Sequence, residues 1–250
     1  MQSKENVMFI LNEPALVVEE SGKRYLVVGD LHIGLEARLR GKGVHVYGIA
    51  ENMVKKIKRI MNEFDSDSLI VLGDVKDSIL YPDSYELRAI KSFFEALEGI
   101  EVVVAEGNHD AHLEEITGVR PKKEILLGRY ALFHGNAFPS AEAMKRDYLI
   151  TAHSHVGVTL KDEKGTVYRY KAWMISSLSK KAGEYYKEYN KKAKLISMPA
   201  FNDLILGTGV EQLSKKDNLN PLLRNGIFNY SRAEVYLLNG EFAGRVSSLK

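Results

Sequence analysis

The sequence predicts an α/β fold with two packed β-sheets, and three observations carry that prediction. Short, near-continuous apolar runs recur at Tyr25–Val28, Leu69–Leu72, Val102–Ala105, Tyr130–Phe133 and Tyr148–Thr151, each of strand length. Amphipathic helical segments separate the first three, the alternation expected when strands are joined by crossovers. After residue 155 the texture changes to a second series of strands, which implies a second sheet packed against the first.

Taken in order, Val7–Leu11 and Ala15–Glu20 read as short strands around the turn Asn12-Glu13-Pro14. Ser21-Gly22 reads as a hairpin leading into the run that ends at Val28. Gly34, Gly41, Gly43 and Gly48 make the next stretch rich in turns. Ala50–Phe64 reads as a helix, because Met53, Val54, Ile57, Ile60, Met61 and Phe64 share one face while the lysines lie elsewhere. A second helix spans Ser84–Glu98, with Asp83 and Glu86 spaced as a capping box and Gly99 as its stop. The later strands are Val156–Leu160, Thr166–Trp173, Leu195–Met198, Asp203–Leu206, Ala233–Leu238 and Glu241–Val246. Between them a polar helix is expected over Ser179–Lys194 and a loop-rich stretch over Gly207–Asn229. No repeat or linker divides the chain, so residues 1–250 read as one domain. Residues 26–155 hold its chemical motifs, and 156–250 hold the second-sheet and C-terminal elements.

A chain of 250 residues is long enough for a full core, and 45% apolar with 27% charged residues are ordinary globular values. A net charge of +2 gives no general attraction to nucleic acid or membrane, so any basic partner surface has to be local. With no cysteine there are no disulfides, zinc-thiolate sites or thiol nucleophiles, and metal chemistry has to use His, Asp, Glu and Asn. No apolar run approaches the roughly 18 residues of a membrane span. The polar start Met1–Asn6 lacks a secretory core, so a soluble cytoplasmic protein is the expectation.

The chemistry sits where the apolar runs stop. The five runs end in Asp30-Leu31-His32, Gly73-Asp74, Gly107-Asn108-His109-Asp110, His134-Gly135 and His153-Ser154-His155. Of the seven histidines, five (His32, His109, His134, His153 and His155) stand at strand ends, leaving His45 and His112. A lone Asp-x-His is weak, and histidines serving a core or a surface would scatter; the recurrence is what makes the pattern specific. The crevice beyond the carboxyl ends of strands is where open α/β sheets bind ligands. Carboxylate, imidazole and amide donors suit manganese, iron, zinc or similar divalent ions, and one carboxylate is available to bridge a pair.

In order and spacing, Asp30-x-His32, Gly73-Asp74, Gly107-Asn108-His109-Asp110, His134 and His153-x-His155 resemble the successive signatures of calcineurin-like metallophosphoesterases. The resemblance implies a four-layer fold, two mixed β-sheets sandwiched between helices. It implies phosphoester hydrolysis with two divalent ions, manganese first, with iron, zinc, nickel or magnesium as alternatives. Asp30, His32 and His155 would hold one ion and Asn108, His134 and His153 the other, with Asp74 bridging; Asn108 would also touch substrate. In such sites the ions lie roughly 3.5–4 Å apart and generate a hydroxide nucleophile. His109 would protonate the leaving oxygen and stabilise phosphoryl charge. Asp77 or Asp110 would hold its ring in the useful tautomer. A turn or cap role competes for Asp77, and a structural one for Asp110. Within the family the chain is most similar to small archaeal and bacterial phosphoesterases related to the nuclease subunits SbcD and Mre11, a likeness that extends to Ser197–Asn202.

Two positions depart from the pattern. Ala152 stands where the family often places the glycine of Gly-His-x-His, and Asp77 gives Gly-Asp-x-x-Asp, as in many phosphatases, where the related nucleases resemble Gly-Asp-x-x-His. Two basic segments bear on the substrate. Arg38, Arg40, Lys42 and His45 follow the first motif, and Arg38 and Arg40 are taken as substrate-binding candidates. Lys180–Lys194 carries six lysines against two glutamates, interleaved with Tyr185, Tyr186 and Tyr189, and reads as a nucleic-acid surface or as a solvated helix.

The expected activity is dinuclear, metal-dependent hydrolysis of phosphodiester bonds in nucleic acid or nucleotides. The alternatives are a phosphomonoesterase or small cyclic-nucleotide phosphodiesterase, and a non-catalytic interaction scaffold of the same fold. Residues 156–250 leave little room for a DNA-capping domain, so duplex work would need a DNA-processing protein partner. A homodimer is left open.

Overall fold

The computed structural model describes residues 7–212 and 218–249. The first sheet is formed by β1 (Val7–Phe9), β2 (Leu16–Glu20), β3 (Lys23–Val28), β4 (Ser68–Leu72) and β5 (Glu101–Ala105), paired in that order. Ser21 and Gly22 both take positive φ, the tight primed turn that suits an antiparallel hairpin, and β1, β2 and β3 are antiparallel. Strands β3, β4 and β5 are parallel and need crossovers. These run through α1 (Leu35–Arg40) and α2 (Ile49–Glu63), then through α3 (Ser84–Ala96). The apolar face of α2 is buried as its periodicity requires, from Met53 and Val54 to Ile60 and Met61.

After α4 (Leu113–Thr117) come β6 (Ile125–Leu127), β7 (Tyr130–Phe133), β8 (Tyr148–Thr151), β9 (Val156–Lys161) and β10 (Val167–Ser177). They are followed by α5 (Ala182–Tyr185), β11 (Lys194–Ser197), β12 (Thr208–Gly209), α6 (Pro221–Arg224), β13 (Glu234–Leu237) and β14 (Phe242–Arg245). The second sheet has the order β12-β9-β10-β11-β8-β7-β6, with β13 on β10 and β14 on β13. It is mixed: β7, β8 and β11 are parallel, while β9, β10 and β13 pair antiparallel. The strands Tyr130–Phe133 and Tyr148–Thr151 thus belong to the second sheet, which begins before residue 156.

The layers follow from burial. Leu16, Val27, Ile70 and Leu72 of the first sheet meet Leu132, Ile150, Trp173 and Ile196 of the second in one shared core. The other face of the first sheet packs on α2, α3 and α4 through Ile57, Ile60, Ile90, Phe93 and Leu113. The outer face of the second sheet is covered by Leu222, Leu223, Ile227 and Phe228, so short helical turns and loops form that layer.

Three expectations are corrected here. The helix over Ser179–Lys194 contracts to the single turn of α5. Gly183 and Asn190 are poor helix formers, and Tyr186 and Tyr189 instead pack partly buried on the outer core. Asp203–Leu206 is a turn, because Asn202 Oδ1 accepts from the Leu204 amide at 3.0 Å and Asn202 O from the Ile205 amide at 3.1 Å. The capping box is half realised: Asp83 caps the Tyr85 and Glu86 amides, but the Glu86 carboxylate turns away to accept from the amides of Asp77 and Ser78, both at 2.9 Å. Glu86 therefore braces the loop that follows β4.

Candidate metal centre

Parallel pairing points the carboxyl ends of β3, β4 and β5 one way, and β7 and β8 bring theirs to the same place. The join is hydrogen-bonded: Asp30 Oδ1 accepts from the His153 amide at 3.1 Å, and the His134 ring donates to the Leu72 carbonyl at 2.8 Å. Asp30, His32, Asp74, His153 and His155 leave their strands with positive φ values of 55°, 41°, 49°, 63° and 40°. Left-handed backbone at a non-glycine residue costs roughly 1–3 kcal/mol and persists where the surroundings impose it, characteristically at functional sites. Main-chain bonds impose it here, Asp30 N to Gly73 O at 3.2 Å and His32 N to Asp74 O at 2.9 Å. Gly73 has no alternative: a Cβ there would lie 2.6 Å from His134 Nδ1 and 2.7 Å from Gly107 Cα.

Two groups of donor atoms result. Asp30, His32, Asp74 and His155 offer one set, and Asp74, His134 and His153 the other, each with its atoms within 4.8 Å of one another; Asp74 belongs to both. His32 Nε2 lies 3.1 Å from His155 Nε2 and 3.6 Å from Asp74 Oδ2. On the other side, His134 Nε2 lies 3.3 Å from Asp74 Oδ1, 3.0 Å from His153 Nδ1 and 3.2 Å from Asn108 Oδ1. With Nδ1 committed to the Leu72 carbonyl, His134 presents Nε2 to the centre.

The electrostatics fit a cation. Asp30 is fully buried and its Oδ2 has no hydrogen-bond partner, an arrangement that is costly for a carboxylate unless positive charge stands beside it. Burial disfavours charge on His134, yet the Asp74 hydrogen bond and the Asp30 and Asp74 charges outweigh it and raise its pKa to about 9. Burial and the His134 charge together push His153 down to about 4. On Asp74 the penalty of burial is likewise overcome, by His134 and the His109 amide, and its pKa falls well below the carboxylate range. Closely packed imidazoles facing two buried carboxylates, with one carboxylate between the sets, fit a pair of divalent ions.

His109 stands beside this centre and belongs to neither donor set. Its amide donates to Asp74 Oδ1 at 3.0 Å, and its ring Nε2 lies 3.9 Å from Asp74 Oδ2. The ring is held through Nδ1, which donates to the backbone carbonyl of Asp77 at 2.6 Å. This corrects the task given to the two aspartates. The Asp77 side chain faces His32 Nδ1 at 3.5 Å and Arg38 at 2.9–3.0 Å, so its charge stands beside His32. Asp110 is buried with both oxygens on backbone amides, Val75 at 2.8 Å and Gly107 at 2.9 Å, and it ties the β4 and β5 loops together away from the His109 ring. Asp77→Asn keeps the shape and loses the charge, and the expected result is roughly 10–100-fold weaker metal binding, measured by titrating the dialysed protein with manganese.

Arg38 is exposed and paired with Asp77 at the edge of the centre. Arg40 is diverted: its guanidinium lies over the rings of Tyr85 at 4.4 Å and Tyr47 at 5.3 Å, in the seam between α1 and α3. Ala152 is accommodated because its neighbour is Gly29, where a Cβ would come within 2.6 Å of the Ala152 methyl.

Two supporting residues carried no sequence signal of their role. Lys76 is fully buried and its Nζ donates to the carbonyls of Ser78 and, at 2.8 Å, Leu80, shaping the loop whose Asp77 carbonyl holds His109. Asn202 is fully buried and donates to the Leu31 carbonyl at 2.7 Å, while the Phe201 amide donates to Gly29 O at 2.9 Å. The Ser197–Asn202 stretch therefore buttresses the Asp30–His32 loop. Asn202→Ala leaves a buried carbonyl unpaired and is expected to cost about 1–3 kcal/mol of stability, read from the urea midpoint at unchanged slope.

Residues 23–195 match the family model of the calcineurin-like phosphoesterase. Among solved structures, the Pseudomonas putida nuclease MPE is similar with a TM-score of 0.56 and 18% identity, covering 90% of this chain and 97% of that one. YfcE, a phosphoesterase from E. coli, aligns with a TM-score of 0.40 and 13% identity over 88% of this chain and 97% of its own. The first likeness supports the fold, and the second is too low to add to it. No curated protein matches the chain by sequence.

Proposed function

The chain belongs to the calcineurin-like phosphoesterase family, hydrolases of phosphoester bonds, and from that premise we propose that it cleaves phosphodiesters with two divalent ions sharing Asp74. The observation that carries this reading is the membership of Asp74 in both donor sets. Asp30, His32 and His155 would complete one ion's ligands, and His134, His153 and Asn108 the other's. Bound there, the ions would supply Lewis acidity toward the phosphoryl oxygens and lower the pKa of a water, so no side-chain nucleophile is needed. Manganese is the first candidate, with iron, zinc, nickel and magnesium as alternatives for the same donors.

The protein's own part is positioning and proton transfer. The Asp77 carbonyl fixes the His109 tautomer through Nδ1, so Nε2 is the atom that carries a proton to the leaving oxygen. The Asp74 carboxylate, 3.9 Å from Nε2, stands beside that proton position. Arg38, held by Asp77, stands at the edge as a cation for a phosphate oxygen. The centre opens beyond Asn108 and His134 into a cleft of about 730 Å³, room for an organic group beyond the phosphate in a monoester as in a diester. Among the described residues no helix is long and apolar enough to cross a membrane.

Hydrolysis of an aryl phosphodiester and its matching monoester, with manganese and with chelator, tests the reading. Chelator-sensitive cleavage with diester preference is expected. Monoester preference would establish a phosphatase instead, and inertness of protein that binds no metal would establish a scaffold.

A further inference from the structure

The cleft beside the centre has a built wall. It is lined by Asn108 and His134 at the metal-centre end, then by the loop after β7 with Phe138, and by Lys123. That loop is anchored at three points. Glu124 accepts from the Ser140 amide at 3.0 Å and from its hydroxyl, and the Tyr186 hydroxyl donates to the Pro139 carbonyl at 3.0 Å. The Phe138 ring stacks on Tyr185, centroids 5.7 Å apart at an interplanar angle of 21°. Phe138 nevertheless stays 48% exposed. Part of the Lys/Tyr segment singled out in the sequence thus props an aromatic platform. Lys123 is exposed and forms no ion pair among the described residues.

We propose that this cleft is a nucleobase subsite, with the scissile phosphate at the metal centre and the base against Phe138. The inference rests on the phosphodiesterase reading and names the organic half of its substrate. Three features favour a base over other organic groups. The cleft volume falls in the range of roughly 300–1,000 Å³ typical of pockets for small organic ligands, far more than a phosphate alone requires. A propped aromatic ring stacks any base, whatever its sequence. Lys123, with the carboxylates of Glu106 and Glu124 on the same cleft, supplies a donor and acceptors for the polar edge of a base.

Calorimetric binding of methyl phosphate and thymidine monophosphate to the manganese-loaded full chain tests this, because the two ligands differ only in the nucleoside. The expected result is that the nucleotide binds about tenfold more tightly or better. Phe138→Ala should erase that advantage at unchanged methyl phosphate affinity, and Phe138→Trp should keep it. Equal affinities in the native protein, or an advantage that survives Phe138→Ala, would overturn the subsite and leave the phosphodiesterase reading standing. Failure of both ligands to bind would strike the metal-centre reading itself, and the subsite with it.

Discussion

Asp74→Ala is expected to abolish hydrolysis, by about a thousandfold or more, and to cost the protein both ions at once. The size follows from the several kcal/mol of transition-state stabilisation that a metal pair supplies, at 1.36 kcal/mol for each factor of ten. The breadth follows from position: one oxygen lies 3.6 Å from His32 Nε2 and the other 3.3 Å from His134 Nε2, and among the described residues Asp74 is the carboxylate that belongs to both sets. Asp74 also sits at φ 49° and receives the His109 amide, so alanine disturbs the loop as well as the charge. Asp74→Asn separates the two effects, since asparagine tolerates that backbone and keeps an oxygen acceptor. Metal loss and inactivity in both variants, with native circular dichroism, would assign the effect to the missing charge. An asparagine variant that kept both ions would show that Asp74 shapes the loop without bridging.

His109→Ala is expected to divide the site differently. Because His109 belongs to neither donor set, metal content should stay native while kcat falls by about 10²–10⁴, the usual contribution of a positioned general acid. The loss should be greatest for diesters with poor, alkoxide-like leaving groups and small for nitrophenolate, which departs without a proton. A uniform loss across leaving groups would remove the proton-transfer role and leave charge stabilisation. Loss of metal would make His109 a ligand.

Much of this centre is legible in the sequence because a ligand at a strand end leaves a doubled mark, an apolar run and then an abrupt His, Asp or Asn. That is how Asp30, Asp74, His134 and His153 could be grouped though they lie far apart in the chain. The same logic found β4 and β7, buried along their whole length, and the buried C-terminal halves of β3 and β8. It could not assign β7 and β8 to the second sheet, since a fully buried strand looks the same in either.

The misreadings have physical causes too. Arg40 looked like a substrate residue by its place after the first motif, but cation–π contact with Tyr85 depends on a helix packing that no local pattern encodes. The sequence places Asp77 near His109, but it is the Asp77 carbonyl that holds the His109 ring, while the side chain faces His32. Positive φ at five proposed ligands, the caged Lys76 and the buttress at Asn202 depend on contacts across the fold, and composition carries no trace of them. The lysines of 180–194 suggested a helix by charge, while the tyrosines between them decided the outcome by packing inward.

The most direct test of the central claim is the manganese stoichiometry of the dialysed protein, measured by calorimetric titration with elemental analysis. The shared carboxylate predicts two ions per chain in the native protein, one in His153→Ala and neither held tightly in Asp74→Ala. A single ion per chain in the native protein, or two retained without Asp74, would contradict it.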